Sequence, residues 1–270
     1  MPSKDVKMTI LDKIVENKRI EVEKAKVETP VSSLQQSIYF ERLGNSLVEE
    51  LKSPTATGII AEFKRKSPSK GDINSNAEVD ETTFGYAGAG ASGISVLTDH
   101  VFFGGSKEDL ISAREKNPGI PLLRKDFIID EYQIYEAKAW GADLILLIAA
   151  WLSPEEINQF GKKAHELGLE VLLEVHDEEE LEKSPLEFAD IIGVNNRNLK
   201  NFAENNVDAS LRLSTLIPPG KVKISESCIS SPETVKILKE SGYKGFLMGE
   251  NFMKTADPAR ALKDFVSQLN

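Results

Sequence analysis

Residues Ala142–Val175 read ADLILLIAAWLSPEEINQFGKKAHELGLEVLLEV. A continuous apolar run, ADLILLIAA, gives way at Ser153 to an amphipathic segment with helix signals. Ser153 is placed as the N-cap, Pro154 at the first helical position and Gly168 just past the end. A second apolar run, LEVLLEV, starts at Leu169. Runs without polar alternation suit strands buried on both faces, and strand–helix–strand units of this kind build a parallel sheet under a layer of helices.

The unit recurs on both sides of this stretch. Upstream lie GIIAEFK from Gly58, GISVLTD from Gly93 and PLLRKDF from Pro121; downstream lie DIIGVNN from Asp190, VKISES from Val222 and GFLMGE from Gly245. SPETVKILKESG, from Ser231, repeats the helix grammar of Ser153–Gly168. Eight such units predict an α/β fold of the closed (β/α)8 TIM-barrel type, with an open doubly wound sheet as the alternative. No G-x-G-x-x-G follows the first strand, which weighs against a dinucleotide site. Residues 1–57 precede the first strand. They predict an amphipathic helix, with Leu11, Ile14, Val15 and Val22 on or near one face, and then shorter helical pieces. The expected organisation is a helical extension, 1–57, packed on a catalytic barrel, 58–270, as one domain overall.

The formal net charge of −10 gives no basic face for a nucleic acid, so none is expected as a partner, while a small anion in a local basic pocket remains compatible. Cys228 is the only cysteine, so no intramolecular disulfide can form. The N-terminus lacks an apolar signal core, and the longest apolar run, from Ala142, is too short to span a bilayer. A cytoplasmic protein without a membrane association is expected.

Polar residues gather where the apolar runs end, the side of such a barrel that carries chemistry. Glu62 and Lys64 end the first strand, two apart and so on one face. Lys125-Asp126-Phe127 ends the third, Glu174 the fifth, Asn195-Asn196-Arg197 the sixth, Glu226-Ser227 the seventh and Gly249-Glu250 the eighth. Strand ends also turn polar simply because they meet water; a whole set converging on one mouth is less easily explained that way. Two lysines and three carboxylates in one pocket can separate acid from base. The three histidines, His100, His165 and His176, are scattered in sequence, and solvated or packed roles are expected for them. Nothing here calls for a metal.

In order and spacing, IIAEFKRKSPSKG, LLRKDFI, LLEVHD, IGVNNRNL, ISESCI and FLMGENFM resemble the strand-end motifs of the indole-3-glycerol phosphate synthase family. The opening ILDKIVENKRIEVEKAK resembles that family's N-terminal segment, so the likeness spans the chain. It implies the conversion of 1-(2-carboxyphenylamino)-1-deoxyribulose 5-phosphate to indole-3-glycerol phosphate, carbon dioxide and water, in tryptophan biosynthesis, with no cofactor. It implies that Lys125 protonates the ketone oxygen as the ring carbon attacks. Glu174 would be the base for the ring nitrogen's proton and Lys64 a second acid, with the division of labour between the lysines open. Glu62, Asn195, Arg197, Glu226 and Ser227 would complete the polar shell, Ser67 would contact the substrate, and Phe103 and Phe127 would pack on its aromatic ring. Arg65, Lys66 and Lys70 inherit no role and are expected as solvated charge around the mouth.

One position departs from the family. Where it has Glu-Ser-Gly-Ile, this chain has Glu226-Ser227-Cys228-Ile229. The family glycine helps hold the phosphate, together with the loop that here contains Gly249 and Glu250, and a side chain at Cys228 threatens close approach. Two rivals exist. One is another phosphosugar barrel such as phosphoribosylanthranilate isomerase, which the Glu62-x-Lys64 and Lys125-Asp126-Phe127 motifs do not support. The other is a silent binding subunit, which has no use for both Lys125 and Glu174. The expected state is a monomer or weak oligomer, open to association with other tryptophan-pathway enzymes.

Overall fold

The structure, a computed structural model, describes residues 8–197 and 206–269. Residues 1–7 and 270, at the ends of the two expected regions, and the Asn198-Leu199 end of the motif IGVNNRNL lie outside the described residues.

Eight parallel strands form a closed barrel: β1 (Ile59–Phe63), β2 (Gly93–Leu97), β3 (Leu122–Lys125), β4 (Leu144–Ile148), β5 (Glu170–Val175), β6 (Ile191–Asn195), β7 (Val222–Glu226) and β8 (Gly245–Met248). Each strand pairs with its neighbours in the chain, and β8 closes on β1 with Ile59 opposite Phe246 and Ala61 opposite Met248. The eight apolar runs of the sequence are these strands, trimmed by a residue or two at their ends. GISVLTD stops at Leu97 because the side chains of Thr98 and Asp99 enter a buried polar network. The Ser153 helix has the predicted cap, reinforced by Glu156, whose carboxylate accepts the Ser153 N–H in a capping box.

Alternation along each strand divides the core in two. Ile60, Leu123, Leu144, Leu146, Leu172, Ile191, Ile224 and Leu247 fill the barrel interior, while Ile59, Ala61, Phe63, Val171, Leu173 and Val175 pack under the helices. Side chains two residues beyond the interior ones stay on the inward face, and this is what delivers the strand-end groups to one pocket.

The N-terminal segment runs from one end of the barrel to the other. Helix α1 (Ile10–Glu28) begins at Thr9, whose hydroxyl accepts the Asp12 N–H while the Asp12 carboxylate accepts the Thr9 N–H. Its buried face carries Ile14, Val15 and Val22, and also Lys18, which no apolar pattern announces. Lys18 Nζ lies 3.0 Å from Asp99 Oδ2, 3.0 Å from Asp126 Oδ1 and 2.6 Å from Glu21 Oε2, so the helix is pinned just past the ends of β2 and β3. After a short α2 (Val31–Leu34), the chain reaches the opposite end. There α3 (Leu47–Lys52) inserts Leu47 and Leu51 into the barrel interior. Burying each such leucine is worth about 1.5–3 kcal/mol.

A buried ionic cluster holds this floor. Asp143 accepts from Arg42, Arg114 and the backbone N–H groups of Asn45 and Leu122. Glu170 accepts from the Ser46 hydroxyl and the N–H groups of Leu47 and Val48. Among the described residues, no helix is long and apolar enough to cross a membrane.

Candidate active site

At the C-terminal ends of the strands lies a pocket of about 270 Å³. It takes Glu62 and Lys64 from the end of β1, Lys125 and Phe127 from β3, and Glu174 from β5. Asn195 and Arg197 come from β6, Glu226, Ser227 and Cys228 from β7, and Gly249 and Glu250 from β8; Ser67 and Phe103 enter from loops. The structure thus brings every residue given a role by the family resemblance to one cavity. It adds three that were selected only as an apolar face or not at all: Ile10, Leu11 and Ile14 of the N-terminal segment line the same space.

The polar side chains are arranged around Lys125. Its Nζ donates to Glu174 Oε2 at 3.1 Å and lies 3.7 Å from Glu226 Oε2. Lys64 Nζ donates to Glu62 Oε1 at 2.6 Å. One ammonium therefore serves two carboxylates, and Glu226 is the one left without a hydrogen bond: neither of its buried oxygens has a partner among the described residues. Two glycines make this crowding possible. A Cβ on Gly193 would stand 2.0 Å from Glu226 Oε1, and one on Gly249 would stand 2.8 Å from Glu62 Oε1.

This geometry pushes the titrating groups apart. Burial opposes the charge on Lys125, but Glu174, Glu226 and Glu62 outweigh it and hold the ammonium well above the ordinary lysine range. Burial raises Glu174, yet Lys125 and then His176 prevail and keep it ionised below the usual carboxylate range. Glu62 is likewise lowered, against burial, by Lys64 and Lys125. Glu226 goes the other way. Burial dominates, Lys125 compensates only in part, Glu174 and Glu62 repel its charge, and it is pushed up to about 8. The pocket so combines a cationic donor, an ionised base and a carboxyl that holds its proton near neutrality.

The apolar wall is formed by Phe103 and Phe127, with ring centroids 5.9 Å apart. Phe103 is carried by the loop after β2, whose turn is held where Asp99 Oδ1 accepts the N–H groups of Phe102 and Phe103. At the rim, Arg197 donates to Ser69 Oγ at 2.7 Å and approaches Glu250 Oε2 at 3.5 Å, while Lys70 lies 3.4 Å from Glu250 Oε1. Asn196, between the two pocket residues of β6, instead staples β6 to β7 by donating to Ser225 Oγ and the Glu226 carbonyl.

Several expectations change. Of the basic cluster after β1, Arg65 is not solvated charge: it makes a two-point ion pair with Asp109, donates to the Ala77 and Gly104 carbonyls and lies over the Phe63 ring. Lys66 donates to the Val101 carbonyl. These two hold the loop after β1, which turns back as a two-stranded ribbon (Lys66–Ser67 with Gly71–Asp72), against the loop after β2. His176 is not remote either; it lines the pocket beside Glu174. Its place two residues beyond Glu174 on the inward face was the available signal. Cys228 sits at φ 59° and Ser227 at φ 64°, both in the left-handed region that favours glycine. Among the described residues no three His, Cys, Asp or Glu side chains are grouped to hold a metal ion.

Comparison with known proteins agrees with this layout. A family model described as indole-3-glycerol phosphate synthase matches residues 11–265. An indole-3-glycerol phosphate synthase from Bacteroides thetaiotaomicron is 48% identical over 260 residues, covering 96% of this chain and 98% of that protein. One from Salinibacter ruber is 44% identical over 256 residues, covering 94% of each. Among solved structures, 3-hexulose-6-phosphate synthase from Salmonella typhimurium superposes with a TM-score of 0.62 at 16% identity, over 79% of this chain and all of that one, a likeness of fold alone.

Proposed function

The chain belongs to the indole-3-glycerol phosphate synthase family, and from that premise we propose how the side chains at the barrel mouth divide its reaction. The reaction is ring closure, decarboxylation and dehydration of 1-(2-carboxyphenylamino)-1-deoxyribulose 5-phosphate, a carboxy-lyase step of tryptophan biosynthesis. The observation that carries the proposal is Lys125, an ammonium held between Glu174 and Glu226 in a pocket walled by two phenyl rings.

Lys125 donates its proton to the ketone oxygen as the ring carbon bonds to the ketone carbon. Carbon dioxide then leaves that ring carbon, and the bonding pair it leaves behind restores the aromatic ring. Loss of water needs one proton delivered to the departing hydroxyl and one removed from the new five-membered ring. Lys64, two residues past the strand interior and paired with Glu62, delivers the first. Glu174, held ionised by its cations, takes the second. Phe103 and Phe127 bracket the benzoate ring. Asn195, Arg197, Ser67 and Ser227 orient the chain of the sugar.

The phosphate is assigned to the rim formed by Cys228, Gly249 and Glu250. Among the described residues, the backbone N–H groups of these three donate to no backbone carbonyl, so they are free to donate to an anion. Residues 1–57 act with 58–270 as one catalytic domain, since Ile10, Leu11 and Ile14 line the pocket that the strands build. A cytoplasmic location, and a monomer or weak oligomer open to other enzymes of the pathway, belong to the same reading; fractionation and sedimentation test them.

Turnover of the substrate followed by indole fluorescence tests the assignment. The expected result is product formation by the full chain and its loss in Glu174→Gln. A full chain that binds the substrate without forming the indole ring overturns it.

A further inference from the structure

His176 is a partly buried titratable group with no part in the chemistry assigned to Lys125, Lys64 and Glu174. It lies one residue past the end of β5, two beyond Glu174 on the inward face. Its ring is gripped from behind. The His176 backbone N–H donates to Glu180 Oε2 at 2.9 Å, and Nδ1 lies 3.1 Å from that same oxygen. Glu180 is itself fixed, in a helix capped by Asp177. With Nδ1–H given to Glu180, Nε2 is turned to the opposite side. It makes no hydrogen bond among the described residues and stands 3.5 Å from Glu174 Oε1.

The other oxygen of Glu174 is the one bound by Lys125. The carboxylate therefore has a nitrogen on each oxygen, an ammonium on one side and an imidazole on the other. A third carboxyl near the imidazole is Glu226, from β7, which holds its proton near neutrality. Burial disfavours the charged form of the ring, but Glu180 and Glu174 outweigh burial and favour the imidazolium above the ordinary histidine range.

We infer that Glu180 and His176 are positioning residues for Glu174: Glu180 sets the ring, and the ring holds Glu174 Oε1 so that the carboxylate does not turn wholly onto Lys125. The inference rests on the assignment of Glu174 as the base. A carboxylate paired only with Lys125 would place its free lone pairs elsewhere, and it would lose a cation that keeps it ionised.

Two substitutions separate the steric from the electrostatic part. In His176→Gln the amide nitrogen reaches the place of Nε2 without its charge; in His176→Asn it reaches only the place of Nδ1. For His176→Asn, kcat should fall about tenfold to a hundredfold, the scale of a small misplacement of a reacting group. His176→Gln should recover most of that loss. In both, the acidic limb of the kcat–pH profile should move up by roughly one unit, because an opposite charge near the carboxylate has been removed. A wild-type kcat with an unmoved limb in His176→Asn overturns the inference. So does an equal loss in both variants with lower thermal stability and an unmoved limb, the signature of packing alone. Glu174→Gln distinguishes the two levels. If it turns over normally, the base assignment itself falls. If it collapses while the His176 variants are unaffected, only the inference falls.

Discussion

The barrel buries an ionic cluster at each end, and the two are built on opposite lines. At the floor, Arg114 uses all three side-chain nitrogens, on the Gly141 carbonyl, the Asn117 carbonyl and Asp143, and both Asp143 oxygens accept twice. The only buried floor atom without a partner, among the described residues, is Arg42 Nε. At the mouth, both oxygens of Glu226 and His176 Nε2 are unpartnered, one ammonium serves two carboxylates, and Ser227 and Cys228 stand in left-handed backbone. Saturated bonds of the first kind hold a shape. Unsaturated groups of the second kind cost stability and remain available to a substrate.

The contrast is tested most severely by removing one cation from each end. Lys125→Met should lower kcat by at least about 10²–10⁴-fold, the usual worth of general acid catalysis, while the protein stays folded. Arg114→Met should do the reverse. Leaving Asp143 short of its buried partner should cost about 3–5 kcal/mol in denaturant unfolding, with kcat per folded molecule unchanged. Equal stability losses in the two variants would erase the distinction between the ends.

A subtler difference lies in pH dependence. Glu226 holds its proton up to about 8 in the folded chain, whereas an unfolded glutamate loses it near 4.5. The folded state binds the extra proton between those values, so this group makes stability fall as pH rises through that window. Glu226→Gln cannot titrate. Its unfolding free energy should therefore fall less steeply than the wild type's from about pH 5 to 8, and parallel profiles would show that Glu226 is ionised after all.

The smallest expected effect is at Cys228. Left-handed backbone costs a non-glycine residue roughly 1–2 kcal/mol, and glycine's added freedom when unfolded returns about 0.4–1 kcal/mol of that. Cys228→Gly should stabilise the chain by about 1 kcal/mol or less, with KM unchanged or lower. A large rise in KM would mean that the thiol side chain takes part in the phosphate rim.

What could be read from the sequence follows the same division. Strand runs, the Ser153 and Ser231 caps and the polar residue ending each run are local patterns, and local patterns fixed the barrel and the inward residues from Glu62 to Gly249. The role of Lys18 as a pin was not legible, because two of its three carboxylates, Asp99 and Asp126, lie 81 and 108 residues away. Arg65 was read as solvated for the same reason: Asp109, its partner, is 44 residues on. The protonated state of Glu226 depends on how many cations three carboxylates must share, which only packing decides. The ribbon at Lys66–Asp72 was missed because its strands are two residues each, too short for any periodicity.

The N-terminal segment, pinned by Lys18 at the mouth and by Arg42 and Ser46 at the floor, has a consequence for how the chain folds. These residues leave the ribosome well before the groups that anchor them: Asp143 follows Arg42 by 101 residues and Glu170 follows Ser46 by 124. At a synthesis rate of about 5–20 residues per second, the segment waits some seconds before its anchors exist. The segment is therefore locked at the floor only once the middle of the barrel has been made. During that interval the apolar face of α1 lacks part of the native surface it covers.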